Sequence, residues 1–291
     1  MQLLETQNQP CIFYGKIFVK KYTLWNKNME KPIRWVGFDM DECIGSVMPL
    51  YVLVSELPRI VQKNRAKQKD TKIVYELIRL LFESELSMKT WLVRPAFFSA
   101  LGNVYHAYQD KKIQGAFIMS NNGSEELVSF MSFFLNLCIW EIYDAKKERP
   151  IIFQMAVYAD SPARKGYPYL KNYEIVQKCL QAEGLPLCSS PNDLLFFDDI
   201  DHPMSKEIKH YVQVPAYLNQ TEIKRFLVAI QPMQDFFEEE DWNTIVQQSL
   251  LLNVRDFNRP NNTYKPFPQP TYETVRDLKV FNDGFRSFLG T

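Results

Sequence analysis

Two aspartates separated by a single residue, Asp39 and Asp41, are the part of this sequence best suited to chemistry. They follow an apolar run, residues 33–38, whose length and composition predict a buried strand. Ligands of open α/β sheets bind at the carboxyl ends of the strands, which is where these carboxylates would lie. One carboxylate that attacks as a nucleophile and a second that donates and accepts protons can carry out covalent group transfer.

A second apolar run, residues 113–119, ends at a polar loop that contains Ser120, Asn121 and Asn122. A long apolar helix is predicted to begin just after this loop, near Glu125. A strand, a small polar loop and a helix N-terminus can together bind a phosphate, because backbone N–H groups point at the anion. The same residues would also suit a plain helix cap.

Two more apolar runs, residues 151–158 and 194–197, are predicted strands, and the second ends at the paired acids Asp198 and Asp199. Helical patterns separate the four runs, and residues 212–218 are a candidate fifth strand. Strands that alternate with helices predict an α/β fold with a doubly wound parallel sheet.

The helical patterns of residues 49–62 and 71–86 form an insertion directly after the first strand. This pair could fold over the site as a lid, or it could be an ordinary helical connection. Arg94 and Pro95 then precede a predicted helix at residues 96–108, with the proline in its first turn.

Three regions are predicted along the chain. Residues 1–30 would form an extension or hairpin, and residues 31–232 the main domain, with the insertion at about 46–92. Residues 233–291 would form C-terminal helices, at 235–252 and 272–288, on either side of a Pro-rich linker.

Composition limits the classes of function. Lys and Arg number 34, and Asp and Glu also number 34, so net charge gives no reason to expect a nucleic acid or an acidic membrane as partner. The five scattered cysteines contain no CxxC pair, which predicts neither a disulfide framework nor a zinc site. The apolar run 127–143 carries polar residues and predicts a buried helix rather than a membrane span. With no apolar leader, we expect an intracellular protein, cytoplasmic or nuclear, without a membrane partner.

The order of these motifs resembles that of the haloacid dehalogenase (HAD) superfamily over residues 33–217. That family has an Asp-x-Asp motif after its first strand, here Asp39-Met-Asp41-Glu-Cys, and a Ser or Thr after a later strand, here Ser120. A lysine before a helix follows, and then a strand that ends in paired acids, here Asp198-Asp199. Within the superfamily, the sequences around Asp39 and Arg94 are similar to the branch of RNA polymerase II C-terminal-domain phosphatases.

The resemblance implies a HAD-like Rossmannoid fold and a role for each matching residue. Asp39 would be the nucleophile that forms an aspartyl-phosphate, and Asp41 the general acid and base. Mg²⁺ would be held by Asp39, the backbone carbonyl of Asp41, and Asp198, with Asp199 behind these ligands or bridging to the metal through water. Ser120 and the amides of Asn121 and Asn122 would bind phosphate oxygens.

The lysine that neutralises the transferred group has two candidates. Lys171 immediately precedes a predicted helix, whose N-terminal field favours phosphate, and it is the preferred residue. Lys165, beside Arg164 in a Gly-containing turn, is the rival and a candidate for substrate binding. Two other polar residues are expected to be structural: Cys43 as a small buried packing residue, and His202 as a surface histidine.

Two hypotheses of function follow. The first is a Mg²⁺-dependent phosphoric monoester hydrolase, whose substrate could be a phosphoprotein, a nucleotide or polynucleotide end, or a small metabolite. The second is a catalytically inactive binding or scaffold protein with the same fold. The second predicts that an essential group has been lost, so that neither lysine would reach Asp39.

Overall fold

A computed structural model describes residues 32–65, 70–87, 91–143, 149–167, 169–217, 223–257 and 270–290. Within these ranges the chain forms five β-strands and eight α-helices. The strands are β1 (Trp35–Phe38), β2 (Gly115–Met119), β3 (Phe153–Val157), β4 (Leu194–Asp198) and β5 (His210–Gln213). The helices are α1 (Met48–Arg65), α2 (Asp70–Leu86), α3 (Pro95–Gln109), α4 (Glu125–Ile142), α5 (Tyr173–Ala182), α6 (Ile223–Ile230), α7 (Glu239–Phe257) and α8 (Pro270–Leu289).

All the pairings in the sheet are parallel, and the strand order is β3-β2-β1-β4-β5. The chain builds outward from β1 to β2 and β3, and then crosses to β4 on the other side of β1. This reversal makes the β1/β4 junction the topological switch point, where α/β sheets bind their ligands. The pair Phe38 and Phe197 is in register, which brings the next residue of each strand to the same level.

Alternate side chains of the central strands enter two separate cores, as the period of a strand requires. Val36 and Phe38 lie in the larger core, and Trp35 lies in the smaller one. Apolar side chains of α5 complete the smaller core, and those of the other seven described helices complete the larger one. The α/β prediction with helices on both faces of a parallel sheet is therefore confirmed, although the two faces are covered unequally.

The predicted insertion consists of α1 and α2, whose buried residues belong to the larger core. Leu53, Leu57 and Leu81 are at most 1% exposed. The two helices contact each other and α4, and they also pack on α7 and α6 respectively. Closure of this pair over the site remains a prediction.

Element boundaries differ from the predictions near the C-terminus. β5 ends at Gln213, five residues before the predicted end, because Pro215 has no N–H for a ladder and the chain leaves the sheet. Tyr217 then donates its N–H to the carbonyl of Glu42, across the carboxyl edge. The helix predicted from residue 235 begins instead at Glu239, after an extended Phe237.

Several predictions fall on residues that are not described. The hairpin at 1–30 and most of the Pro-rich linker lie outside the described ranges.

The predicted C-terminal helix is α8, which begins at Pro270, a favoured first-turn position for proline. Helix α6 had no counterpart among the predictions. Among the described helices, none is both long enough and apolar enough to span a bilayer.

Candidate functional site

The two central strands deliver the acids to one place. Asp39 directly follows β1, and Asp198 ends β4, so the parallel register brings them side by side. The backbone N–H of Asp39 donates to the carbonyl of Phe197 at 2.8 Å, which fixes their relative height. Both side chains are buried, and Asp198 is inaccessible to solvent.

Lys171 joins these two carboxylates. Its Nζ donates to Oδ1 of Asp39 at 2.5 Å and to Oδ2 of Asp198 at 2.8 Å. Burial alone would lower the pKa of Lys171, but the charges of Asp39 and Asp198 outweigh that effect and raise it. The side chain therefore stays an ammonium ion. The rival residue, Lys165, lies exposed on the turn that follows Arg164.

Asp41 lies against Ser120. The Ser120 hydroxyl donates to Oδ2 of Asp41 at 3.2 Å and accepts the backbone N–H of Asn122 at 2.9 Å. Burial raises the pKa of Asp41, although the hydrogen bond from Ser120 and the charge of Lys171 partly offset the rise. A raised pKa increases the fraction of carboxyl that holds a proton near neutral pH, as a general acid requires.

The two asparagines hold the Ser120 loop (residues 120–124) in shape. Oδ1 of Asn121 accepts a hydrogen bond from Arg164 at 2.7 Å. Oδ1 of Asn122 accepts the backbone N–H of Ser124 at 2.9 Å, and Ser124 in turn caps α4 through the N–H of Leu127. The predicted loop before a helix N-terminus is therefore present, and both carboxamide oxygens are bound within the protein.

The turn after Asp41 is shaped by close backbone contacts. Glu42 has φ of 61°, a left-handed conformation that is uncommon for residues with a side chain. Gly45 lies so near residue 92 that an added Cβ would come within 1.9 Å of the Leu92 carbonyl oxygen. Because the turn passes this close to the segment before α3, only glycine fits at position 45.

Asp39, Asp198 and Asp199 form a carboxylate cluster that could hold a metal ion, since one oxygen of each lies within 4.8 Å of the others. Burial, followed by the charge of Asp198, raises the pKa of Asp199 to about 6. Burial likewise raises the pKa of Asp39 well above its usual range, despite the opposing effect of Lys171. The raised pKa values show that these carboxyl groups are costly to ionise side by side, and a bound cation would offset that cost. All-oxygen donors suit Mg²⁺, Ca²⁺ or Mn²⁺. The side chain of Asp41 is not in the cluster.

Two neighbouring residues were predicted to be structural. Cys43 is fully buried beside the carbonyl of Phe197, as expected of a packing residue, and burial raises the pKa of its thiol well above the usual range. The prediction of a surface position for His202 is wrong, because its side chain is only 14% exposed. Its Nε2 lies 3.6 Å from Oδ2 of Asp198, and burial lowers the pKa of the imidazole.

Two buried arginines at this edge had not been assigned a function. Nη2 of Arg94 donates to the carbonyl of Glu42 at 3.0 Å, and Nε lies 3.6 Å from Oδ2 of Asp277 in α8. Arg164 binds the Ser120 loop. Sequence offered a weak signal for the first, its position before Pro95, and none for the second, since a lone arginine in a polar turn is usually exposed.

Comparison of the chain with protein-family models, with curated proteins and with solved structures gives no match in any of the three. What the residues at this edge can do is therefore inferred from their geometry and from the motif order.

Proposed function

We propose that this protein is a phosphoric monoester hydrolase of the HAD type. The observation that carries the proposal is the buried contact of Lys171 with both Asp39 and Asp198, beside the Asp41–Ser120 pair. A nucleophile, a proton donor, a cation and hydroxyl and amide donors then converge at the switch point of a parallel sheet. The motif order along the chain supports the same assignment.

Asp39 is the nucleophile in this proposal. One of its carboxylate oxygens attacks phosphorus, and the bond between phosphorus and the substrate oxygen breaks. Oδ1 already accepts from Lys171, which leaves Oδ2 as the attacking atom. The product of this step is an aspartyl-phosphate on Asp39 and a free leaving group.

Asp41 carries the proton in both steps. Its carboxyl group gives a proton to the leaving oxygen, and the resulting carboxylate then takes one from the attacking water. The bond between phosphorus and Asp39 breaks as water adds, so both carboxyl groups return to their starting states. The hydrogen bond from Ser120 holds the Asp41 side chain for these transfers.

The phosphoryl group carries negative charge that must be offset as Asp39 approaches. Lys171 and the amides of the Ser120 loop supply fixed positive and dipolar groups for this purpose. The carboxylate cluster fits a divalent cation, and we propose Mg²⁺. Bound there, it would screen the charge repulsion between the phosphoryl group and the attacking carboxylate.

The contact of Lys171 also supports an enzyme over the inactive binding protein, since that alternative predicts the loss of an essential group. The proposal leaves open a phosphoprotein, a nucleotide or polynucleotide end, or a small metabolite as substrate.

Hydrolysis of a generic aryl phosphate, with and without Mg²⁺, tests the proposal. We expect metal-dependent turnover by the wild type and a loss of at least about 1,000-fold in Asp39→Asn, as for removal of a covalent nucleophile. Asp193→Asn is the matched control, because Asp193 is also buried but pairs with Arg34 at the opposite edge of the sheet. Equal activity of Asp39→Asn and the wild type would contradict the proposal.

A further inference from the structure

Arg164 is a buried cation for which the proposed chemistry has no use. It ends a short 3-10 turn after β3, Pro162–Arg164, and its side chain is inaccessible to solvent. Burying a guanidinium costs free energy unless its N–H groups find acceptors. Among the described residues it forms no ion pair with a carboxylate, and its Nε has no hydrogen-bond partner. A residue kept at such a cost calls for a specific role.

The acceptors of Arg164 lie on two different segments of the site. Nη1 donates to the backbone carbonyl of Ser120 at 2.7 Å, and Nη2 donates to Oδ1 of Asn121 at 2.7 Å. Nη2 also donates to the backbone carbonyl of Leu170 at 3.3 Å. One rigid, planar group is therefore bonded both to the Ser120 loop and to the residue that precedes Lys171.

Each of these two segments carries a side chain that donates a hydrogen bond to a carboxylate of the site. Ser120, held through its carbonyl, donates its hydroxyl to Asp41. Lys171, whose preceding carbonyl is held, donates to Asp39 and Asp198. Arg164 thus connects Ser120, which contacts the proposed acid, to Lys171, which contacts the proposed nucleophile.

We propose that Arg164 is a positioning residue that holds the Ser120 loop and Lys171 in register with each other. It touches neither Asp39 nor Asp41 through a hydrogen bond, and it acts through Ser120 and Lys171. This inference rests on the proposed phosphatase function. Lysine at this position would present all its N–H groups from one atom, so it could not reproduce the two separate donor atoms, Nη1 and Nη2, that the planar guanidinium holds apart.

Steady-state hydrolysis of an aryl phosphate by Arg164→Met and Arg164→Lys, with Mg²⁺ present, tests the inference. We expect Arg164→Met to lower kcat by about 100-fold, the effect of a displacement of about 1 Å in a catalytic group. We expect KM to stay within about threefold, since Ser120 and Lys171 remain to bind the ground state. Arg164→Lys should recover part of the loss.

Chemical rescue separates positioning from a general loss of structure. Added guanidinium ion, at concentrations that do not unfold the protein, should raise kcat of a third variant, Arg164→Ala, by about tenfold by occupying the space that the shorter side chain leaves. Arg34→Met is the control, because Arg34 pairs with Asp193 at the far edge, and guanidinium should leave its kcat unchanged. Arg164→Lys provides the measurement if Arg164→Met does not fold.

The outcomes distinguish this inference from the function on which it rests. An inactive wild type removes the phosphatase proposal and this inference with it. An active wild type whose kcat is matched within about threefold by both folded Arg164 variants overturns the inference alone. So does a loss in Arg164→Ala that guanidinium does not relieve, together with a loss in Arg164→Lys as large as that in Arg164→Met.

Discussion

The two ends of the sheet treat charge in opposite ways. At the amino edge, the side of the sheet where the parallel strands begin, Arg34 and Asp193 form one balanced pair. Nε of Arg34 lies 3.3 Å from Oδ1 of Asp193, and the arginine side chain is 32% exposed. At the carboxyl edge, Lys171 is 2% exposed and faces two carboxylates, with Asp199 close by. Although Asp193 is buried, Arg34 brings part of the charge of the amino-edge pair to solvent, whereas no member of the Lys171 group does so.

This difference suggests what each edge is for. Exposed pairs contribute little to stability and can be lost cheaply. Buried, unbalanced charge destabilises a fold, so its presence at one edge indicates selection for something other than stability. Strained and perturbed groups of this kind concentrate at functional sites, which agrees with the proposed chemistry.

The largest effect that would test this contrast is expected from Lys171→Met. Removal of the ammonium leaves the buried carboxylates without a counter-charge and the transferred group without its cation. We expect kcat for an aryl phosphate to fall by about 1,000-fold, the upper range for one electrostatic group. Lys178→Met, on the exposed side of the helix α5 that follows Lys171, should leave kcat unchanged. A larger loss from Lys165→Met than from Lys171→Met would assign the neutralising role to Lys165 instead.

An intermediate effect is expected when pH changes the charge of the carboxylate cluster. The pKa of Asp199 is raised to about 6, so this group binds a proton more tightly in the folded than in the unfolded chain. The resulting penalty on stability is present above pH 6 and is relieved as pH falls toward 4. The contribution of Lys171, whose pKa is also raised, stays constant in that window because it is fully present below about pH 10.

Metal binding should show the opposite trend, because a cation needs the ionised carboxylates. We expect the affinity for Mg²⁺, measured by calorimetry, to fall as pH is lowered from 7.5 to 5.5. The fall should be about tenfold for each pH unit below the pKa of a carboxyl group that must lose its proton to bind the metal. Asp199→Asn should bind more weakly and with a smaller pH slope. An affinity that does not depend on pH would mean that these carboxylates do not hold the metal.

The smallest effect is expected at the amino edge. Arg34→Met removes one partner of a pair whose arginine is about a third exposed, and we expect a loss of less than about 1 kcal/mol in the free energy of unfolding. Denaturant unfolding measures this loss, and kcat should not change. A loss of kcat in Arg34→Met as large as that in Lys171→Met would contradict the contrast between the two edges.

Much of the fold could be predicted because its signals are local. β1 to β4 are short apolar runs bounded by polar residues, and such runs are typical of strands that are buried on both faces of a parallel sheet. α3 begins with proline in its first turn, and α5 is followed by Gly184 at φ of 67°. By contrast, α6 is only eight residues long and was missed, since so short a periodic run gives little signal.

The candidate site divides in the same way. Strand ends placed Asp39, Asp198 and Ser120 at one edge, because parallel strands all end on the same side. The position of Lys171 just before a helix favoured it over Lys165, six residues away, but this local signal left both lysines open. The choice depends on which side chain enters the sheet edge, a contact between residues 132 positions apart.

The sequence by itself determined the strands, their order of appearance and the acids that end them, because hydrophobic period and turn chemistry act over a few residues. Only the tertiary structure decided that Lys171 is buried between two carboxylates, that His202 is largely buried beside Asp198, and that Arg164 bonds two segments of the site. Burial and charge pairing of these groups depend on chain segments that meet only after folding, and no spacing along the chain encodes them.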